Sequence, residues 1–160
     1  MKKSLFFYLF AVLCTMSLFT SCSDDDDVIM SQEVSGTYEG KLDISGGILI
    51  TVPSIDETVT VTIATDNTVD VRLGGFPLNI PVLGEIEVAS ILLDECPLTN
   101  EGDGRYSFPA NATVSVAGFE TGTVSGTGIF QNGSLTLNLD AEIEGIGLDV
   151  NFSGTKIAVN

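Results

Sequence analysis

The sequence predicts an all-β fold, an antiparallel barrel of about eight to ten short strands, on three observations. From Ser35 to Asn160 no stretch carries the 3.6-residue period of a helix. Several stretches in the same span alternate apolar and polar residues with period two. Turn signals separate them at hairpin spacing, which suits antiparallel neighbours, and no helix is present to carry a parallel crossover.

Ahead of the barrel, Met1-Lys2-Lys3 is a positive start, and Leu5 to Phe19 is an apolar run broken only by Cys14, Thr15, Met16 and Ser17. A spanning helix needs about 20 apolar residues. This run is shorter, so residues 1–21 read as a secretory signal peptide. Leu18-Phe19-Thr20-Ser21-Cys22 resembles the lipobox of bacterial lipoproteins, with Phe19 where leucine is usual. The resemblance implies cleavage before Cys22 and acylation of that cysteine, whose acyl chains then hold the protein to a membrane. Residues 22–34 form an acidic tether. Within it, Ser23, Asp24, Asp25, Asp26 and Asp27 have two readings. One is a self-repelling spacer. The other is an export signal, because a serine and acids directly after a lipidated cysteine resemble the signal on surface lipoproteins of certain Gram-negative bacteria. The expected location is the outer membrane, facing the exterior.

Residues 35–160 are the expected barrel domain. Strands are expected at Thr37 to Ile44 and around Ile48 to Val52. Val59, Val61 and Ile63 then alternate with threonines, and Val69, Val71 and Leu73 with Asp70 and Arg72. A three-residue loop Thr65-Asp66-Asn67, with Asn67 left-handed, sets Ile63 against Val69, Val61 against Val71 and Val59 against Leu73. Further strands are expected at Gly84 to Leu92, and from Tyr106 to Val116 with a break near Pro109. Asn132-Gly133 is the strongest hairpin signal, and pairs Phe130 with Leu135, Gly128 with Leu137, Gly126 with Leu139 and Val124 with Ala141. A turn at Glu144-Gly145 pairs Ile143 with Ile146, Ala141 with Leu148, Leu139 with Val150 and Leu137 with Phe152. The strand shared by these two hairpins points the same side chains inward in both, which predicts a three-stranded meander from Thr121 to Gly154. Membrane-spanning barrels use strands of roughly 9 to 11 residues and aromatic girdles. The apparent strands are mostly shorter and aromatics are 8% of the chain, so a soluble barrel with an apolar interior is expected.

Charge narrows the partners. The formal net charge is −16, and removal of residues 1–21 leaves four of six basic residues against all 22 acids. Such a surface repels nucleic acid, whose binding depends on Lys and Arg displacing counterions. Cys96 is the only cysteine in the body, so no internal disulfide is expected there, and it reads as a small hydrophobe before Pro97. The chain has no histidine to activate a thiol.

Gly36-Thr37-Tyr38-Glu39-Gly40-Lys41-Leu42, the central Gly84-Glu85-Ile86-Glu87-Val88 and the late Val150-Asn151-Phe152-Ser153-Gly154 together resemble the calycin-like β-barrel domain of bacterial lipoproteins. The resemblance implies a lipocalin-like barrel over nearly all of Ser35 to Ile157. It brings no catalytic residues.

Metal, phosphate and nucleophile motifs are absent from the sequence, and no cofactor or enzyme activity is expected. The Glu144-Gly145 register sets Asp140 across from Asp149, with Glu142 two residues along the same face. This is either a solvated acidic face or a site for a weakly held Ca²⁺ that offsets the like charges. The i, i+2 spacing of about 6.5–7 Å suits an inverting glycosidase, but any acidic strand satisfies it. Phe76 to Leu83 is too apolar for a solvated loop. It is either a plug over one end of the barrel or a rim, formed by Phe76, Leu78, Ile80 and Leu83, that meets a ligand or partner. Gly122, Gly126 and Gly128 line an inward face opposite leucines, for close packing or to leave room for a small apolar ligand. The leading expectation is a lipid-anchored, non-enzymatic barrel that binds a small apolar ligand or a partner macromolecule. The alternative is a structural or adhesive envelope module whose barrel is filled by its own side chains.

Overall fold

The computed structural model describes residues 29–46, 50–80, 84–115, 121–143 and 145–158. A five-residue helix, α1 (Met30–Val34), leads into β1 (Gly36–Gly46), β2 (Ile50–Thr65) and β3 (Thr68–Leu73). A hairpin of β4 (Phe76–Ile80) and β5 (Gly84–Val88) follows. The chain continues through β6 (Ile91–Pro97), β7 (Thr99–Gly102), β8 (Arg105–Val114), β9 (Gly122–Gln131), β10 (Ser134–Ile143) and β11 (Ile146–Lys156). Nine strands form one antiparallel sheet in the order β6-β3-β2-β1-β11-β10-β9-β8-β7, while β4 and β5 pair with each other. The sheet curls until β6 lies beside β8. Between those two strands no ladder forms among the described residues, but Ala89 N–H donates to Ser115 O at 3.1 Å. The result is a nearly closed barrel.

Alternation decides which side of each strand faces in. Val59, Val61, Leu137, Leu139, Leu148, Val150 and Phe152 are buried, while Thr58, Thr60, Asn138, Asp140, Glu142, Asp149 and Asn151 between them are exposed. This polar exterior, and not strand length, separates the chain from a membrane-spanning barrel, whose outer face is an apolar band. The expectation of mostly short strands is corrected, since β2 has 16 residues, β1 and β11 have 11, and β8, β9 and β10 have 10.

The meander forms in the expected register at every pair named above. Its first turn works because Asn132 (φ 51°) and Gly133 (φ 75°) both take the left-handed region that a two-residue hairpin requires. The β1 and β11 motifs meet directly. Gly40 pairs with Gly154 and Leu42 with Phe152, so the two ends of the domain close on each other.

Four further expectations are corrected in detail. The β2–β3 hairpin has the expected pairs, but Asn67 is not left-handed; the extra residue is taken up as a bulge at Ala64, with Thr65 against Thr68. Ile63, beside that bulge, is 50% exposed and not inward. Ile50 to Val52, the described part of the segment expected around Ile48 to Val52, and Thr58 to Ile63 join in the single strand β2, and Gly84 to Leu92 is split at Ala89-Ser90 into β5 and β6. No break occurs at Pro109, which pairs with Thr127 inside β8. Beyond Ser107 no strand is laddered to the other side of β8 among the described residues, and a strand with one unpaired side tolerates a missing donor.

Both ends of the barrel are covered. At one end lie the β2–β3, β7–β8 and β9–β10 turns, and α1 sits against them, with Ser31 N–H donating to Asp66 O at 3.2 Å and Val34 buried. These five residues fall within the segment read as tether. At the other end the β4–β5 hairpin buries Phe76, Leu78, Ile86 and Val88.

Candidate functional site

Among the described residues, the space beside the inward glycines of β9 is occupied by the protein itself. Cβ atoms added at Gly126 and Gly122 would meet the backbone carbonyls of Asn138 and Glu142, and one at Gly128 would fall on the ring of Phe108. Phe108 therefore fills the space that Gly128 leaves, and it stacks on Phe130 with ring centroids 5.3 Å apart. Phe130 in turn meets Tyr38 at 5.7 Å, giving an aromatic layer across the barrel. Of the two readings of the inward glycines, close packing is the one the geometry shows.

Phe76 and Leu78 belong to this core and present no open rim, because the β4–β5 hairpin turns its apolar face onto the barrel end. Of the other two rim residues, Ile80 closes β4 and its side chain lies outside the described set, as does Leu83 altogether. Cys22 and Ser23, Asp24, Asp25, Asp26 and Asp27 also lie outside the described residues.

Asp140 does stand opposite Asp149, with Glu142 opposite Gly147. All three carboxylates are exposed on the outer wall, beside an open depression of about 360 Å³. Among the described residues no group of three or more Asp, Glu, Cys or His side chains is placed to hold a metal ion.

Three further features stand out in the structure. The first is the unlatched side of the barrel, where a groove of about 780 Å³ runs between Leu92 and Asp94 of β6 and Asn111 and Ala112 of β8. A bulge opposes Asp94 and Glu95 to the single residue Asp70, and Glu95, at φ 48°, donates its N–H to Asp70 Oδ1 at 2.8 Å. The second is Cys96, fully buried beside that bulge, its S–H directed to Leu93 O at 3.6 Å. Burial, with Asp70 and Asp94 nearby, pushes the thiol pKa from 9.0 up to about 11. A thiol kept neutral by the fold ionises more readily in the unfolded chain. Stability is therefore expected to fall as pH rises from about 9 to about 11, and Cys96→Ala should remove that component from a pH series of urea melts. A pH profile identical in the variant would rule it out.

The third is the barrel mouth beneath α1. Tyr38 O–H donates to Val34 O at 2.7 Å, and burial raises its pKa to about 12. Tyr106 O–H donates to the Glu33 carboxylate from a position 73 residues away in sequence. That bond, reinforced by burial, raises the Tyr106 pKa. Tyr38, Tyr106 and Phe130, with Glu33, Asn132 and Gly133, line a cavity of about 320 Å³. The buried tyrosines each needed an acceptor, which was the one signal in the sequence for this end.

Residues 34–159 match the family described as the calycin-like beta-barrel domain. Among solved structures, a Bacteroides fragilis NCTC 9343 protein named "putative outer membrane protein" shares the fold with a TM-score of 0.67 at 23% identity, over 81% of this chain. The match covers 53% of that protein, so the chain spans about half its length. A redesigned β-barrel and a de novo designed fluorescence-activating β-barrel reach TM-scores of 0.45 and 0.42, at 9% and 13% identity. Each covers 81% of this chain, and 96% and 99% of the respective design. No curated protein matches the sequence. The family match runs from the end of α1 to beyond β11 and takes in the paired Gly40 and Gly154, and on it the chain belongs to the calycin-like β-barrel domain family.

Proposed function

We propose that the protein is a lipid-anchored module of the cell envelope, displayed at the outer membrane through acyl chains on Cys22, whose packed barrel works through its outer surface and does not carry an apolar ligand inside. The observation that carries this reading is Phe108 in the space beside Gly128. The name of the Bacteroides fragilis relative, "putative outer membrane protein", supports an envelope location. The lipobox-like Leu18 to Cys22 supports the anchor, and the run Ser23 to Asp27 supports display on the exterior. A non-enzymatic role is favoured by the placement of Asp140, Glu142 and Asp149 on an exposed outer wall, beside an open depression and not in an enclosed cleft.

Labelling with a radioactive fatty acid tests the anchor. Label should enter the protein and be lost in Cys22→Ser; label retained in that variant would refute acylation at this residue. Replacing Asp24 to Asp27 with alanine should leave the label and abolish accessibility to protease added to intact cells. If accessibility is unchanged, the aspartates are only a spacer.

A further inference from the structure

We propose that the barrel opens locally along the seam between β6 and β8, while the rest of the sheet stays laddered. Such an opening is independent of the envelope role. In an antiparallel ladder, successive residues turn their N–H and C=O alternately toward one neighbouring strand and toward the other. The two-residue turn at Asn132-Gly133 makes Gln131 and Ser134 a hydrogen-bonded pair, so the even-numbered residues of β9 turn toward β8. Their partners Phe108, Ala110, Ala112 and Val114 bond to β9, which leaves the backbone groups of Pro109, Asn111, Thr113 and Ser115 turned toward β6. Ser115 O accepts from Ala89 N–H, in agreement with this phase. On the facing edge Leu98 N–H donates to Asn67 O, so Cys96 bonds to β3 and Pro97 turns away from it, toward β8.

Beyond Thr99 and Ser107, the last pair of the β7–β8 ladder, the same register sets Pro97 opposite Pro109. A pair in this phase exchanges two N–H···O bonds, and here neither residue has an N–H. Two bonds are therefore missing at the point where pairing stops. Past the prolines a bulge opposes Asp94 and Glu95 to Asp70 and shifts β6 by one residue. Among the described residues, pairing across the seam resumes only as the Ala89–Ser115 bond, at 3.1 Å. Between these points lies the open groove, with Asn111, Ala112 and Thr113 on one side and Leu92, 46% exposed, on the other. Every neighbouring pair of strands in the sheet order has a ladder, whereas the seam has one backbone bond and side-chain packing. Prolines and bulges are the usual guards on edges that other chains could pair with. Guards on both facing edges serve a seam that opens, and are idle in one that stays shut.

Cys96 is a built-in reporter, since the same register places it across from Ala110, at the seam, and it is fully buried. A thiol reagent such as N-ethylmaleimide reaches it only when the seam or the whole barrel opens. Mass spectrometry of the Cys96 peptide reads the labelling of this residue alone in the intact protein. Local opening exposes little surface. At low urea the labelling rate should therefore depend only weakly on urea and exceed, by at least about tenfold, the rate that global unfolding allows. Pro109→Thr supplies an N–H facing Pro97 C=O and should slow that labelling about two- to tenfold, the effect of one net hydrogen bond. In the unaltered protein the amides of Asn111 and Thr113 should exchange their hydrogens with solvent faster than those of Ala110 and Ala112. Labelling that follows global unfolding at every urea concentration overturns the proposal. So does equal protection of the four amides, or labelling unchanged in a folded Pro109→Thr.

Discussion

Phe108→Ala is expected to cost about 3–5 kcal/mol of unfolding free energy. The ring is buried, stacks on Phe130 and fills the space beside Gly128, so its removal leaves a cavity between β8 and β9 that the surrounding backbone cannot close. Against a total stability of about 5–15 kcal/mol, such a loss brings the folded state close to its limit. Gly128→Ala alone should cost about 1–3 kcal/mol, because its Cβ collides with the same ring. The two effects should not add. In the double variant the new methyl enters vacated space, and urea melts should show a favourable coupling of about 0.5–3 kcal/mol. Strict additivity would mean that Phe108 does not occupy the place of the Gly128 side chain.

Gly40→Ala is expected to be as damaging as any surface-to-core change in the sheet, at or above the upper end of about 1–3 kcal/mol. A Cβ there would strike the Ser153 carbonyl and Gly154 Cα, which are backbone atoms of the paired strand and cannot rotate away as a side chain can. The β1–β11 pair joins the first and last strands, so the strain falls where the barrel sheet depends on a long-range contact. Thr37→Ala on the same strand should have a much smaller effect. The comparison of melting temperatures checks the claim, and equal losses would place the effect in strand propensity and not in close approach.

The parts legible in the sequence were those fixed by local rules that agree with each other. Asn132-Gly133 dictates a two-residue turn, and the alternation on either side admits only one register, so the β9–β10–β11 pairs could be written down residue by residue. At Thr65 to Asn67 the alternation dictated the pairs, but two backbone solutions satisfy them. The chain uses a bulge at Ala64 where a left-handed Asn67 would also have served. Ala89-Ser90 carries no glycine or proline, so nothing local announced the division of β5 from β6. Pro109 was misleading because a proline breaks only a strand that is laddered on both sides.

The mouth cavity was illegible for a different reason. Glu33 and Tyr106 meet only once the barrel has curled, and α1 is too short to show any period. The glycines of β9 told of a need for space without saying what would fill it. Phe108, on the neighbouring strand, fills it at Gly128.

Native mass spectrometry of the protein taken from its own cells tests the proposal of a lipid-anchored, packed barrel most directly. The predicted mass is that of the chain beginning at Cys22 plus its acyl chains, with no further apolar molecule retained by the folded barrel. A stoichiometric apolar molecule that stays bound to the folded protein and leaves on unfolding would contradict it.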